Sequence, residues 1–212
     1  MSVTVSPIFL FDVEAGAAVA AELLDAITDK QLADYEAEWV PALQTALQRL
    51  NRANVAYARW PQSRHWDWRR KVAAFQGMLG RPGFSIVCNG VTQGMMYTDL
   101  VGRQCQIQRQ KGRPFVYVDF VENAPWNRAE LLFDPPKYRG VGSILIRAAI
   151  ELSRHEEFKG RIGLHSLPQA NDFYANTCGM TDMGPDETYH GLRYFEMTPE
   201  QAEAFCKKGD RT

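Results

Sequence analysis

The sequence predicts an α/β fold: a mixed, mainly antiparallel sheet flanked by helices, with an extended N-terminal helical region. Three observations carry this expectation. Asn89-Gly90 lies between two β-prone runs, the pattern of a tight hairpin. The turn Gly140-Val141-Gly142 leads from an extended segment straight into an amphipathic helix. Beyond that helix, strand and helix patterns alternate to the C-terminus, which calls for a sheet covered by helices.

Taken in order, residues 6–13 are rich in Ile, Phe and Val and read as a first strand. Residues 17–27 and 31–57 read as helices, with Leu43, Leu47 and Leu50 on one stripe and Pro41 in a first turn. Residues 60–68 hold Trp60, Trp66 and Trp68, ahead of a short amphipathic helix through Val72, Phe75 and Leu79 that ends at Gly80-Arg81-Pro82-Gly83. The hairpin runs from Phe84 to Tyr97, and a further β run starts at Phe115 and reaches Val121 to Asn123. Ile144, Leu145, Ala148 and Leu152 mark one face of a helix over 142–156. A strand follows at 161–167. Pro168 then opens a short helix through Phe173 that stops at Gly179, 188–197 forms the last strand, and Thr198 starts a terminal helix.

The 212 residues suit one domain, 1–212, and no repeat or linker divides them. Hydrophobic residues at 45% and charged residues at 23% are ordinary for a folded chain and exclude disorder. With 24 basic and 25 acidic residues, net charge −1, no nucleic-acid footprint covers the chain; Arg64, Arg69, Arg70 and Lys71 form a local cluster only. No apolar run is long enough to span a membrane, and the N-terminus lacks a secretory pattern, so a cytoplasmic protein is expected. The four cysteines form no Cys-x-x-Cys pair and the four histidines no His-x-x-x-His face, so no metal is expected and the thiols should be free.

The Gly140-x-Gly142 turn is the sharpest chemical signal. Small residues let backbone N–H groups crowd together, and the helix that follows adds unsatisfied donors and the positive end of its dipole. A dinucleotide fingerprint would need a small residue where Leu145 stands, and a Walker loop would need Gly-Lys-Ser/Thr. Taken alone, the glycines serve either a phosphate or simply the turn.

With its downstream context the segment resembles the GNAT acetyltransferases, whose turn reads Gln/Arg-x-x-Gly-x-Gly/Ala. Here the positions are Lys137, Tyr138, Arg139, Gly140, Val141 and Gly142, and the family's Ala-x-x-x-Tyr-x-x-x-Gly-Phe is met by Ala170, Tyr174, Gly179 and Met180 with one extra residue before the glycine. The resemblance covers about residues 84–197. The chain departs from the pattern at Lys137, at Leu167 where an Asn is common, and in an insertion over 124–136 that contains Pro125-Trp126-Asn127-Arg128.

The resemblance implies acetyl transfer from acetyl-CoA to an amine by direct attack in a ternary complex. Residues 1–83 would shape the acceptor side and 84–212 the sheet core with the CoA site. Lys137, Arg139, Gly140, Val141, Gly142 and Ser143 would bind the pyrophosphate. The strand 115–123, splayed from 161–167, would offer Val121 and Asn123 to the pantetheine and the thioester oxygen, and Asn171 joins the cofactor contacts. Tyr174 would protonate the departing thiolate, or is a half-buried aromatic. Glu122, placed by alternation on one face with Val118 and Phe120, is either the base that frees the amine or a solvated strand-end charge. His165 either assists that base or is structural. Trp60, Trp66 and Trp68 read as core plugs more than as pocket walls, and Trp126 as a pocket rim. Cys178 beside Tyr174 admits a covalent route that the family mostly avoids. The acceptor class stays open, from small amine to protein lysine, as does a homodimer; a nucleic-acid acceptor is disfavoured by the charge balance. The alternative is a non-catalytic CoA-binding or interaction protein with the same fold.

Overall fold

The computed structural model describes residues 3–131 and 135–209. Its strands are β1 Val5–Asp12, β2 Ala17–Leu24, β3 Gly83–Cys88, β4 Val91–Asp99, β5 Val116–Asn123, β6 Tyr138–Arg139, β7 Ile162–Ser166, β8 Thr181–Asp186 and β9 Leu192–Met197. The α-helices are α1 Asp29–Asp34, α2 Val40–Arg52, α3 Trp68–Phe75, α4 Val141–His155 and α5 Pro199–Gly209. The nine strands are hydrogen-bonded in the order β6-β1-β2-β3-β4-β5-β7-β9-β8. The mixed, mainly antiparallel sheet flanked by helices is as expected. Among the described residues no helix is long and apolar enough to cross a membrane. The chain forms two compact units, Met1–Met96 with Val121–Leu145, and Tyr97–Phe120 with Ile146–Thr212.

The first unit corrects the N-terminal expectation. Ala17–Leu24 is a strand, paired antiparallel with β1 from Val5↔Leu24 to Asp12↔Ala17 and with β3 from Glu22↔Val87 to Leu24↔Ser85. Alanine favours helix, but in this segment Val19, Ala21 and Leu23 alternate inward, and pairing on both edges outweighs a propensity of a few tenths of a kcal/mol per residue. The connecting turn is set by Asp12, whose carboxylate accepts from the Ala15 N–H, and by Gly16 at φ +62°. The helical layer therefore follows a hairpin rather than the single strand expected at 6–13. It begins with a capping box at Thr28 and Gln31, passes through a π-helical turn at Tyr35–Trp39, and continues as α2. Trp39 Nε1 donates to the Thr92 carbonyl at 2.8 Å and Asp34 accepts from Thr92 N–H at 2.7 Å, which fastens this helical run to β4. Asn89 at φ +50° and Gly90 at φ +75° form the expected tight turn between β3 and β4.

In the second unit β7 pairs parallel with β5, but only from Val116↔Ile162 to Val118↔Leu164; beyond that the pairing ends while β5 continues. β9 lies antiparallel between β7 and β8. The sequence reading omitted β8: Thr181–Asp186 contains Gly184-Pro185, and only its pairing with β9, through a bulge at Asp182/Gly184, makes it a strand. The last strand accordingly starts at Leu192, after a turn made by Asp186, His190 at φ +56° and Gly191 at φ +75°. Downstream of β7 the expected short helix is a 3-10 turn at Pro168–Ala170 followed by a π-helical turn at Phe173–Thr177, and Gly179 at φ +67° ends it.

Candidate functional site

The glycine turn is built in the first unit. β6 pairs with the end of β1 through Phe11↔Arg139 and Asp12↔Tyr138, Gly140 follows at φ +99°, and α4 starts at once. The Ile144 N–H donates to the Gly140 carbonyl at 2.9 Å as the helix closes its first turn. The N–H groups of Val141, Gly142 and Ser143 precede that bond, so this fifteen-residue helix offers them no acceptor. Lys137, Arg139 and Gly140 are exposed beside them. The inserted segment braces the turn: Tyr138 N–H donates to Asn127 Oδ1 at 2.9 Å, Lys137 N–H to the Trp126 carbonyl at 2.9 Å, and the Trp126 and Asn127 side chains both donate to Gln93 Oε1. Trp126 is thus pinned by its indole nitrogen. Residues 132–134 of the insertion lie outside the described residues. Gly94 on β4 completes the support, because a Cβ there would stand 2.6 Å from Val141 Cγ1 and 3.0 Å from Leu145 Cδ1.

Glu122 is neither solvated nor at a free strand end. Its Oε2 accepts from Trp68 Nε1 at 2.7 Å and its Oε1 from Arg128 Nη1 at 2.9 Å, with both charged side chains under 10% exposed. Burial pushes its carboxyl above the ordinary range, and Arg128, Trp68 and Ser63 pull it back. Trp68 is fully buried, and the half-buried Trp60 packs on the edge of the Ala46, Leu50 and Leu131 cluster, so both serve packing. Val121 and Asn123 flank Glu122 on β5 and are half-buried. The basic cluster is locally partnered: Arg69 pairs with Glu36, Arg70 with Asp67, and Arg64 lies over the Tyr57 ring.

In the second unit Tyr174 is buried against Phe195, ring centroids 5.9 Å apart, and burial raises its hydroxyl pKa. Asn171, one turn earlier, has a buried Oδ1 with no hydrogen-bond partner among the described residues. Cys178 is buried and its thiol is pushed up to about 12 by desolvation, which removes the thiolate a covalent route needs. Phe195 and Tyr194 are consecutive on β9 and face opposite ways. Tyr194 therefore turns to the other side of the sheet, where it stacks on His165 at 4.8 Å.

His165 is not a lone strand histidine. Its Nδ1 lies 2.7 Å from the Tyr117 hydroxyl, its Nε2 lies 3.0 Å from Asp186 Oδ2, and Tyr189 stacks on the ring at 3.6 Å. Burial holds it below the ordinary histidine range against the opposing pull of Asp186. These groups and Arg103 line a cavity of about 230 Å³. Glu196 accepts from the N–H groups of Gln106 and Ile107 and from the Tyr194 hydroxyl, tying the loop after Arg103 to β9. At Gly163 a Cβ would stand 2.7 Å from the Phe115 ring, so the glycine lets Phe115 pack on β7.

No family model matches the chain, and no curated protein matches it. Solved structures do match. The GNAT domain of S. lividans PAT is 15% identical, covers 91% of this chain and 96% of its own, and gives a TM-score of 0.52. RimJ of Mycobacterium smegmatis, solved with CoA-disulfide, is 15% identical over 98% of this chain and 95% of its own, with a TM-score of 0.51. The PaiA N-acetyltransferase of Thermoplasma acidophilum, solved with coenzyme A, is 9% identical over 85% and 99%, with a TM-score of 0.50. The fold is that of the GNAT acetyltransferases. Within this GNAT fold the glycine turn gathers Lys137, Arg139, Gly140, Val141, Gly142 and Ser143 in one unit, and Asn171 and Tyr174 share one short helical segment of the other. The sequence reading missed Arg103, Asp186, Tyr189 and Tyr194, which meet His165 through the pairing of β7 with β9 and through the loop and turn that flank it. A local trace of them existed in Asp186-x-Thr188, an Asx turn, followed by His190-Gly191.

Proposed function

We propose that the protein is an acetyl-CoA-dependent N-acetyltransferase in which the amine attacks the thioester directly in a ternary complex. The observation that carries this reading is the turn at Gly140: three backbone N–H groups at the start of a long helix, braced from β1 and the inserted segment, in a fold whose solved examples include complexes with CoA. Val141, Gly142 and Ser143 would bind the pyrophosphate through N–H groups, with Lys137 and Arg139 adding positive charge. Lysine in place of the family's Gln or Arg is tolerable because backbone donors do the binding. Val121 and Asn123 would hold the thioester end through the β5 backbone, where one N–H can stabilise the oxyanion. Asn171 supplies an acceptor without a partner among the described residues, suited to an amide N–H of the pantetheine.

Tyr174 would protonate the thiolate. Its raised pKa keeps it protonated, which suits an acid, and its contribution comes from position more than from acidity. Glu122, with both oxygens engaged, serves this reading less as a base than as the anion that fixes Trp68 and Arg128.

Calorimetry with CoA and thiol release from acetyl-CoA across an amine panel test the proposal. Binding in the micromolar range with turnover of at least one amine is expected; no CoA binding sinks it. Tyr174→Phe should lower kcat about a hundredfold with CoA affinity nearly intact. An unchanged rate removes the acid role.

A further inference from the structure

The cavity beside His165 lies over the paired stretch of β5 and β7, between the loop that precedes β5 and the turn that joins β8 to β9. His165 directly follows Leu164, the last residue of β7 paired with β5, and Tyr117 lies on the paired stretch of β5. Two kinds of chemistry meet there. Arg103 is held over the rings of Tyr117 at 4.1 Å and Tyr189 at 5.6 Å and hydrogen-bonds the Tyr189 side chain, which engages one of its five N–H donors and leaves others for an oxyanion. Tyr117, His165 and Asp186 form a relay. The carboxylate only accepts, so His165 carries its proton on Nε2 toward Asp186 Oδ2, and Nδ1 accepts from the Tyr117 hydroxyl.

We propose that this cavity seats the acceptor, an amine carrying an oxyanion such as a carboxylate or phosphate, with Arg103 holding the oxyanion and Tyr117, backed by His165 and Asp186, taking the amine's proton. The inference deepens the acetyltransferase reading and rests on it. In the step, an N–H proton of the ammonium passes to the Tyr117 oxygen as the Tyr117 proton passes to His165 Nδ1, leaving an imidazolium between Tyr117 and Asp186. The free amine then forms the C–N bond as the C–S bond breaks. The thiolate takes its proton from Tyr174, the proton lost by the attacking nitrogen and that of the imidazolium pass to water, and Tyr174 is reprotonated from water. Tyr117 is the catalytic residue here, and His165 and Asp186 are positioning residues. The aromatic walls Tyr189 and Tyr194 keep the histidine ring in plane.

The test uses the full chain and three amines of similar length: 2-aminoethyl phosphate, β-alanine and propylamine. Calorimetry without CoA should show binding of at least one of the first two, at least tenfold tighter than propylamine. Arg103→Met should remove that preference, and Arg103→Lys should restore part of it. Binding of none of the three, or binding undiminished in Arg103→Met, overturns the inference. Failure of CoA itself to bind would instead sink the acetyl-transfer reading, and CoA affinity also reports that each variant is folded. In turnover, Arg103→Met should raise KM for the acidic amines at least tenfold with kcat within about twofold. The pH profile separates the relay from mere packing. Around His165 are Tyr117, Arg103, Asp186, Tyr189 and Tyr194; Asp119 of β5 acts on Arg103 and Tyr117, and Glu196 of β9 accepts from the Tyr194 hydroxyl. The wild-type kcat/KM should rise through the histidine ionisation, below the ordinary histidine range. In His165→Asn and Tyr117→Phe that limb should vanish and the rate should rise only as the amine itself deprotonates. A limb retained in both variants overturns the relay.

Discussion

At the residue scale, the carboxylate of Glu122 shows how far side-chain identity and strand alternation carry an inference. Alternation separates Glu122 from Asp119 and singles it out, but its partners, Trp68 at 54 positions' distance and Arg128 across a turn, emerge only from the fold. They convert a candidate base into half of a buried ion pair. Removing one member of such a pair strands the other charge, which costs more than the pair itself contributes. Glu122→Gln, which can still accept from Trp68 but leaves Arg128 without its counter-charge, should destabilise the protein by about 3–5 kcal/mol in urea unfolding. A loss under about 1 kcal/mol would show that water already reaches Arg128 and that the pair behaves as a surface one. Cys178 carries the opposite lesson. Its proximity to Tyr174 was readable in the sequence, while its inertness follows from burial alone.

At the element scale, α4 and its glycine turn were legible because their determinants are local: a positive-φ glycine, a helical stripe and orphan donors at the start. The hairpin at Asn89-Gly90 was legible for the same reason. Ala17–Leu24 and Thr181–Asp186 were not, since each becomes a strand through partners elsewhere in the chain. Gly94 belongs to this second class. In the sequence it is an unremarked glycine within a β run; in the fold it is the gap into which Val141 and Leu145 press. Gly94→Ala would drive the first turn of α4 away from β4 by a few tenths of an ångström, because Val141 is held at the helix start and cannot retreat as a long flexible side chain would. The expected result is a threefold to tenfold loss of CoA affinity by calorimetry with kcat little changed. Unaltered affinity would mean that the donors of residues 141–143 do not depend on how closely α4 is seated.

At the scale of the whole molecule, a net charge of −1 gives no hint that ionisable groups are buried in both compact units. Their pH response is a property of the entire chain and can be given a sign. His165 titrates lower in the folded protein than in the unfolded chain, chiefly because burial penalises the imidazolium. Below the ordinary histidine range the unfolded state therefore binds more protons, so the stability His165 contributes is complete near neutrality and is lost as pH falls toward its folded pKa. Asp34 and Asp182 are held below the ordinary aspartate range by hydrogen bonds from Thr92 and Lys30 and from Arg193, which outweigh desolvation. Their contribution disappears only at still lower pH. Glu122 works the other way, since a raised carboxyl pKa favours the folded state as pH falls into the carboxylate range. Between pH 7.5 and 5.5 the histidine dominates, and the urea midpoint should fall across that interval. His165→Asn should flatten the fall without changing the steeper loss in strong acid. A midpoint equally pH-dependent in that variant would place the titrating group elsewhere, and would remove the burial of His165 as the reason its imidazole stays neutral beside Asp186.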